Sequence, residues 1–174
     1  MVQTALPIST LSSSASKFQS APGGTHATSY LRIDEGIAGA DDDSTFLYAT
    51  TGIKVWMGQL TPMSAAGTGE MKVAVRMRDR APGVTGSYGT IAVGSLADGL
   101  VAQRVFVAPG SSYFNAEFVL TEAEKNLITG WDRMLGRVIL TSTDSAQFRF
   151  TAYEFTAPDS VPGLKGWHSP MWKY

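Results

Sequence analysis

The sequence contains no cysteine, only two histidines and no long uninterrupted apolar segment. The absence of cysteine excludes disulfide bonds, thiolate nucleophiles and cysteine-ligated zinc sites. The formal net charge of −1 provides no global positive field, so neither nucleic acid nor an anionic membrane surface is an expected partner. Because no segment has enough consecutive apolar residues to cross a bilayer, no membrane-spanning helix is expected either.

Short alternating segments make up most of what is present. The clearest lies at residues 71–78, where apolar residues alternate with basic or small ones (MKVAVRMR). This period of two predicts a strand with one buried and one solvated face. Comparable segments recur along residues 30–157 between glycine, proline and aspartate turns, a spacing typical of sandwiches. The sequence therefore predicts an all-β protein, an antiparallel β-sandwich or jelly roll, and the lack of repeated crossover helices argues against a parallel α/β fold.

Two local connections carry more specific predictions. Residues 45–50 and 54–60 are joined at Gly52 by a short turn, which predicts a hairpin with the two strands side by side. Further along, Thr121 is followed three residues later by Glu124, the spacing of a capping box. This predicts one short helix of about two or three turns. Leu127 and Ile128 would form its buried side, and Gly130 would end it in a left-handed conformation.

The two ends of the chain differ from the middle. Residues 1–28 are rich in small and polar residues, and their apolar residues follow neither the helical nor the strand period. Residues 158–174 combine proline and glycine with large apolar side chains, which excludes regular structure. We therefore expect an extended N-terminal arm at 1–28, a jelly-roll β-sandwich at 29–157 and an extended C-terminal tail at 158–174.

The apolar side chains of these extensions have two alternative locations. They fold back over their own sandwich, or they are buried against another molecule, where tryptophan concentrates binding energy. The candidate partner-binding residues are Leu6, Ile8, Leu11, Phe18, Leu164, Trp167, Met171, Trp172 and Tyr174.

No motif in the sequence identifies a reaction. There is no nucleophile elbow, phosphate-binding loop or zinc-protease helix, and His26 and His168 lie in the two extensions. Asp41, Asp42 and Asp43 lack the spacing of a calcium loop, so a solvated turn is favoured over a metal site. We therefore expect no catalytic residue, no metal, no cofactor and a protein that is not an enzyme.

Several blocks of the sequence resemble small jelly-roll proteins encoded by tailed bacteriophages. They are YLRIDE at 30–35, DDDSTFLY at 41–48, FVLTEAE at 118–124, WDRMLGRV at 131–138 and the closing segment 148–155. The resemblance covers residues 30–158 and leaves both extensions outside. It implies a virion structural protein, a capsid decoration (cement) protein that binds the outer head surface as a homotrimer. The major capsid protein would be its partner, and assembly would take place in the host bacterial cytoplasm.

Aromatic residues give an alternative from a different functional class. Trp56, Tyr88, Tyr113 and Trp131 would form a sugar-stacking platform if they were exposed, whereas large rings in a sandwich more often lie in the core. This alternative is a carbohydrate-binding module or a tail-associated adhesin of a phage, with Trp56 and Trp131 as its test residues. A small hydrolase with paired carboxylates is a third alternative.

Overall fold

The computed structural model describes residues 2–13, 19–21, 33–34, 36–39, 46–49, 52–79, 87–109, 111–142 and 148–159. The strands are β1 (Val2–Ala5), β2 (Pro7–Ser13), β3 (Gln19–Ala21), β4 (Phe46–Ala49), β5 (Gly52–Leu60), β6 (Lys72–Asp79), β7 (Tyr88–Ser95), β8 (Gly99–Phe106), β9 (Phe114–Val119), β10 (Met134–Ser142) and β11 (Phe148–Pro158). One α-helix, α1 (Glu122–Lys125), lies between β9 and β10. No helix in these ranges is long and apolar enough to cross a membrane.

The strands form two antiparallel sheets that pack face to face, which confirms the β-sandwich. Sheet A has the order β3-β4-β11-β6-β9, and β1 pairs with the second half of β11. Sheet B has the order β2-β5-β10-β7-β8. The inner faces of both sheets meet in one apolar core, which is what an alternating pattern on each strand requires.

The described residues of the expected N-terminal arm belong to this sandwich. β1 pairs with β11 from Val2 opposite Pro158 onwards, and β2 pairs with β5. The division expected at residue 28 is therefore corrected for 2–13 and 19–21, which lie within the two sheets. The sequence pattern does not predict these strands, because β1 is only four residues long and β2 contains two register shifts that interrupt its alternation.

The C-terminal end of the sandwich is formed by β11, which ends at Pro158, and by Asp159, which bridges to Ala66. Residues 160–174, most of the expected tail, lie outside the described residues. Residues 30–32, where the region of expected strands begins, also lie outside them, and Ile33 is fully buried in a turn.

The centre of the core is aromatic. Trp56 from sheet B is fully buried and packs against Phe150 and Tyr153 from sheet A, with ring centroids 6.0 and 5.8 Å away. The hydroxyl of Tyr153 donates a 2.7 Å hydrogen bond to the carbonyl of Ala92, and burial raises the pKa of that phenol. A Cβ at Gly136 would lie 2.7 Å from the Tyr153 ring, so glycine makes room for it.

The strand alternation is confirmed in β6. Val73, Val75 and Met77 are buried, as the pattern at 71–78 predicts. In β11 the first six residues, 148–153, are all buried, and a register shift between Phe150 and Ala152 changes which residues face the core. Tyr153 and Phe155 consequently face the core.

Two local predictions are wrong in part. Strands β4 and β5 do not form a hairpin, because β4 lies in sheet A and β5 in sheet B, and Leu47 and Trp56 approach the core from opposite sides. The capping box at Thr121 is confirmed, but α1 has only four residues. Ile128 is buried as expected, while Leu127 is 57 % exposed.

Gly130 does not end α1 in a left-handed conformation, because its φ is −91° and the helix has already ended.

Candidate functional site

Three of the predicted partner-binding residues can be placed. Leu6 lies between β1 and β2 and is half-buried, and its carbonyl accepts a hydrogen bond from the backbone of Thr61 at 2.8 Å. Ile8 and Leu11 lie on β2, an edge strand, and are 39 % and 45 % exposed. The others lie outside the described residues: Phe18, Leu164, Trp167, Met171, Trp172 and Tyr174. A contact between any of these residues and a partner stays a prediction.

The four candidate aromatic residues have separate locations and do not form one platform. Trp56 is fully buried in the core, so it does not meet the condition of exposure and is not a sugar-stacking residue. Tyr88 is exposed at the start of β7, and Tyr113 is half-buried under the guanidinium of Arg78, 4.6 Å from its ring centroid. Trp131 is half-buried and lines a surface cleft.

This cleft lies at one end of the sandwich and encloses about 510 Å³. One wall is the loop 61–70 and the other is α1 with the segment that follows it. The residues that line the cleft are Ala66, Gly67, Thr68, Gly69, Met71, Glu122, Lys125, Asn126, Ile128 and Trp131. Its volume falls within the range of about 300–1,000 Å³ that small-molecule sites occupy.

The indole of Trp131 is held from the core side. Phe155 stacks on it with ring centroids 6.5 Å apart and an angle of 20° between the planes. The carbonyl of Trp131 accepts a 3.0 Å hydrogen bond from the backbone of Met63, which ties it to the loop 61–70. The indole is therefore a fixed surface, and a ligand would not have to order it.

Asp98 holds the backbone of the two residues that precede Trp131. Its carboxylate accepts hydrogen bonds from the Ser95 hydroxyl at 2.6 Å, from the Thr129 amide at 2.8 Å and from the Gly130 amide at 3.1 Å. The Thr129 hydroxyl donates to the other oxygen. These bonds, that of Ser95 first, hold the pKa of Asp98 well below its usual range. The turn between β7 and β8 is thereby fastened to the turn at Trp131.

The polar wall of the cleft comes from α1 and the residue after it. The ammonium of Lys125 donates to the Gly69 carbonyl and to the Glu122 carboxylate, each at 2.7 Å. The Lys125 side chain is 11 % exposed, whereas that of Glu122 is 83 % exposed. The cleft therefore presents a carboxylate and the amide of Asn126, while its cation is satisfied within the protein.

A second ion pair holds α1 against β8. The guanidinium of Arg104 donates two hydrogen bonds to the Glu124 carboxylate, at 2.9 and 3.0 Å, and lies over the ring of Phe118. The hydrogen bond from Arg104 is the main reason why the pKa of Glu124 falls to about 2. The same carboxylate accepts the Thr121 amide, so one residue both caps the helix and anchors it.

Sequence reasoning selected Trp131 but missed the rest of the cleft. The capping box placed Glu122 on a helix, yet nothing local indicated that the loop 61–70 lies opposite. Lys125, Asn126 and Asp98 were not selected, since their roles depend on contacts between distant segments. Among the described residues, no three Asp, Glu or His side chains are grouped closely enough to hold a metal ion.

No protein-family model and no curated protein matches the sequence. Solved structures do match its fold. The chain is similar to TmCBM61 in complex with β-1,4-galactotriose, at 9 % identity and a TM-score of 0.50, over 91 % of this chain and 88 % of that one. It is also similar to the C-terminal CBM6 of the marine laminarinase LamC from Zobellia galactanivorans, at 7 % identity and a TM-score of 0.50, over 90 % and 99 % of the two chains.

A third similar structure is the glycoside hydrolase domain of Endo-D from Streptococcus pneumoniae R6, at 14 % identity and a TM-score of 0.46. The match covers 86 % of this chain but only 21 % of that one. At such low identities these similarities concern architecture. The two structures with a TM-score of 0.50 show that the chain has a jelly-roll-like β-sandwich fold, which both of these carbohydrate-binding modules share.

Proposed function

We propose that this protein is a carbohydrate-binding module that holds a neutral glycan in the cleft over Trp131. The observation that carries the proposal is the cleft itself, which is lined by a fixed indole, an exposed carboxylate and an amide. Sugar rings have apolar C–H faces that pack on aromatic rings and hydroxyl groups that donate to carboxylate and amide oxygens. The cleft supplies both kinds of contact within one volume.

The charges in the cleft favour a neutral ligand. Lys125 already donates to Gly69 and Glu122, and the most exposed charge in the cleft is the Glu122 carboxylate. A uronic acid or a sulfated sugar would place a second anion beside this carboxylate, which costs free energy. A neutral sugar would instead donate its hydroxyl groups to Glu122 and to the Asn126 carbonyl.

The fold supports this proposal by analogy. One similar structure holds a galactotriose, and another is a module of a laminarinase. Because one fold carries many functions, the argument rests on the residues of the cleft. Binding a glycan in this way requires no catalytic residue, metal or cofactor, so the proposal is for a protein that is not an enzyme.

The resemblance to phage decoration proteins leads to a second hypothesis. In that case Ile8 and Leu11 on β2 are the described residues that would contact a major capsid protein. The similar structures reported above do not favour capsid decoration. The resemblance alone predicts a virion location, a homotrimer and a capsid partner, and these stay predictions. A phage adhesin that binds host glycans would be consistent with both hypotheses.

A glycan array followed by titration calorimetry tests the proposal. The array should contain neutral and acidic oligosaccharides, and we expect binding among the neutral ones. For a neutral oligosaccharide that binds, Trp131→Ala should weaken affinity more than about tenfold, because a buried tryptophan contact is lost. Tyr88→Ala, which removes an exposed ring far from the cleft, is the matched control and should leave affinity unchanged.

Two results would overturn the proposal. One is the absence of binding to any oligosaccharide on the array. The other is binding that survives Trp131→Ala in a protein with the wild-type circular dichroism spectrum, because the ligand would then lie elsewhere. A preference for acidic sugars would refute the argument from Glu122 but would leave the cleft as the binding site. In that case Glu122→Gln would be expected to increase affinity.

A further inference from the structure

The chain leaves the end of β11 at the wall of the cleft. Asp159, the last described residue, pairs with Ala66 through an antiparallel bridge. The carbonyl of Pro158 accepts a 2.9 Å hydrogen bond from the Gly67 amide. Both Ala66 and Gly67 line the cleft. The segment that follows, residues 160–174, is therefore attached to the protein directly beside the cleft.

The composition of segment 160–174 suits this cleft. The segment contains the tryptophans Trp167 and Trp172 and the lysines Lys165 and Lys173, and it has no aspartate or glutamate. The cleft offers the half-buried indole of Trp131 to an aromatic partner. Aromatic pairs stabilise contacts beyond the area that they bury, so a tryptophan of the segment and Trp131 are suitable partners.

The charges are complementary as well. The Glu122 side chain is 83 % exposed in the cleft, and Glu70, which is also exposed, lies between two residues that line it. The Lys125 side chain is only 11 % exposed and is bonded to Glu122 and to the Gly69 carbonyl. A segment whose formal charge is positive is therefore attracted to this wall of the cleft.

The segment can reach the cleft, and the cleft can hold part of it. Trp167 is eight positions beyond Asp159, and a flexible chain of that length spans about 16 Å on average. The cleft encloses about 510 Å³, whereas a cavity of roughly 150 Å³ holds one benzene ring. An indole and its neighbours therefore fit. Because a short tether gives an effective concentration in the millimolar range, even a weak contact is populated.

We propose that segment 160–174 of the same chain binds in the cleft when no glycan is present, with a tryptophan on Trp131 and a lysine beside Glu122. Its regulatory consequence rests on the proposed function. A glycan and the segment need the same indole, so the glycan must displace the segment before it binds. The apparent glycan affinity is then lowered in proportion to the fraction of molecules whose cleft is open.

Disulfide trapping in the full chain tests where the segment binds, and the lack of native cysteine makes each introduced pair unambiguous. Thr68→Cys places a thiol on the exposed wall of the cleft, and Ser169→Cys places one between the two tryptophans. The control combines Ser169→Cys with Ser112→Cys, since Ser112 is exposed at the opposite end of the sandwich. We expect the cleft pair to close within one chain at least about tenfold faster than the control.

Two further variants make the trapping result specific. Trp131→Ala, checked for folding by circular dichroism, should remove the advantage of the cleft pair because the ring contact is lost. Thr141→Cys with Ser169→Cys tests the outer face of sheet B, on which Thr141 lies. Faster closure of this pair than of the cleft pair overturns the proposal. Equal rates for all three pairs, or disulfides that join two chains, overturn it as well.

Titration calorimetry tests the regulation separately. For a neutral oligosaccharide that binds, the double variant Trp167→Ala with Trp172→Ala should increase glycan affinity several-fold, because the competing segment is weakened. The same oligosaccharide in excess should slow closure of the cleft pair. Unchanged affinity in the double variant would overturn the competition. If no oligosaccharide binds, the proposed function fails, whereas the trapping rates still decide whether the segment binds in the cleft.

Discussion

Phe155 stacks on the indole of Trp131, with ring centroids 6.5 Å apart and an angle of 20° between the planes. Because Phe155 is fully buried, the core fixes the floor of the cleft. Phe155→Leu removes the flat support, so we expect the free energy of unfolding to fall by about 1–2 kcal/mol in urea titrations. Glycan affinity should fall several-fold by calorimetry. Unchanged affinity would show that other contacts position Trp131.

Gly136 is expected to tolerate no side chain. A Cβ there would lie 2.7 Å from the Tyr153 ring, which cannot move freely because its hydroxyl is bonded to Ala92 at 2.7 Å. Gly136→Ala should reduce the free energy of unfolding by about 1–3 kcal/mol, the usual cost of overpacking. Gly39→Ala is the control, because a Cβ at Gly39 meets nothing within 4 Å. Equal stability of both variants would mean that the ring has room.

The pair of Arg104 and Glu124 makes stability depend on pH. Glu124 has a pKa of about 2 in the folded protein against an ordinary value of 4.5, so its stabilisation is present above pH 4.5 and is lost as the pH falls towards 2. Glu124→Gln keeps a capping side chain but loses the ion pair. We expect a loss of about 1 kcal/mol at neutral pH, reduced by the solvent exposure of Arg104.

Thermal unfolding at several pH values measures this effect. The difference between the wild type and Glu124→Gln should disappear as the pH approaches 2. Glu117→Gln is the control, because the Glu117 carboxylate is 39 % exposed and bonds Lys72 at 3.3 Å on a solvated face. A pH-independent loss in Glu124→Gln would instead assign the effect to the helix cap.

Asp98 should also stabilise the fold only while it is ionised. Its folded pKa is below the ordinary value, so its contribution is present above that value and is lost in acid. Asp98→Asn presents an amide to the Thr129 and Gly130 N–H groups, and we expect a lower melting temperature at neutral pH. Asp132→Asn, next to Trp131 but exposed, should melt like the wild type. Equal melting of both variants would contradict the role of Asp98.

The sequence predicts the strands whose two faces differ. Residues 71–78 alternate between large apolar side chains and basic or small ones, so the large apolar side chains identify the face that is buried, and the structure agrees. In β5 both faces are apolar, with Val55 and Met57 outside and Trp56 inside. No local pattern could therefore say on which side Trp56 lies, and the sequence left both a surface and a core location open.

The sequence predicts only part of the cleft, and the reason is not the one that applies to Trp56. Its walls come from residues 66–71 and from residues 122–131, which are far apart in the sequence and meet because β6 pairs with β9. The capping box at Thr121 depends only on residues that are close in the sequence, so the sequence predicts it. The bond from Lys125 to Gly69 crosses 56 positions and leaves no periodic signal.

Strand β11 is the last described strand, yet it lies at the centre of sheet A between β4 and β6, with β1 beside its end. During synthesis, β1, β4 and β6 cannot pair with β11 until residues 148–158 have left the ribosome. The growing chain therefore holds unpaired strand edges until translation of this region is nearly finished. A premature stop before residue 148 would not produce a shortened sandwich, because it would remove the strand that three others share.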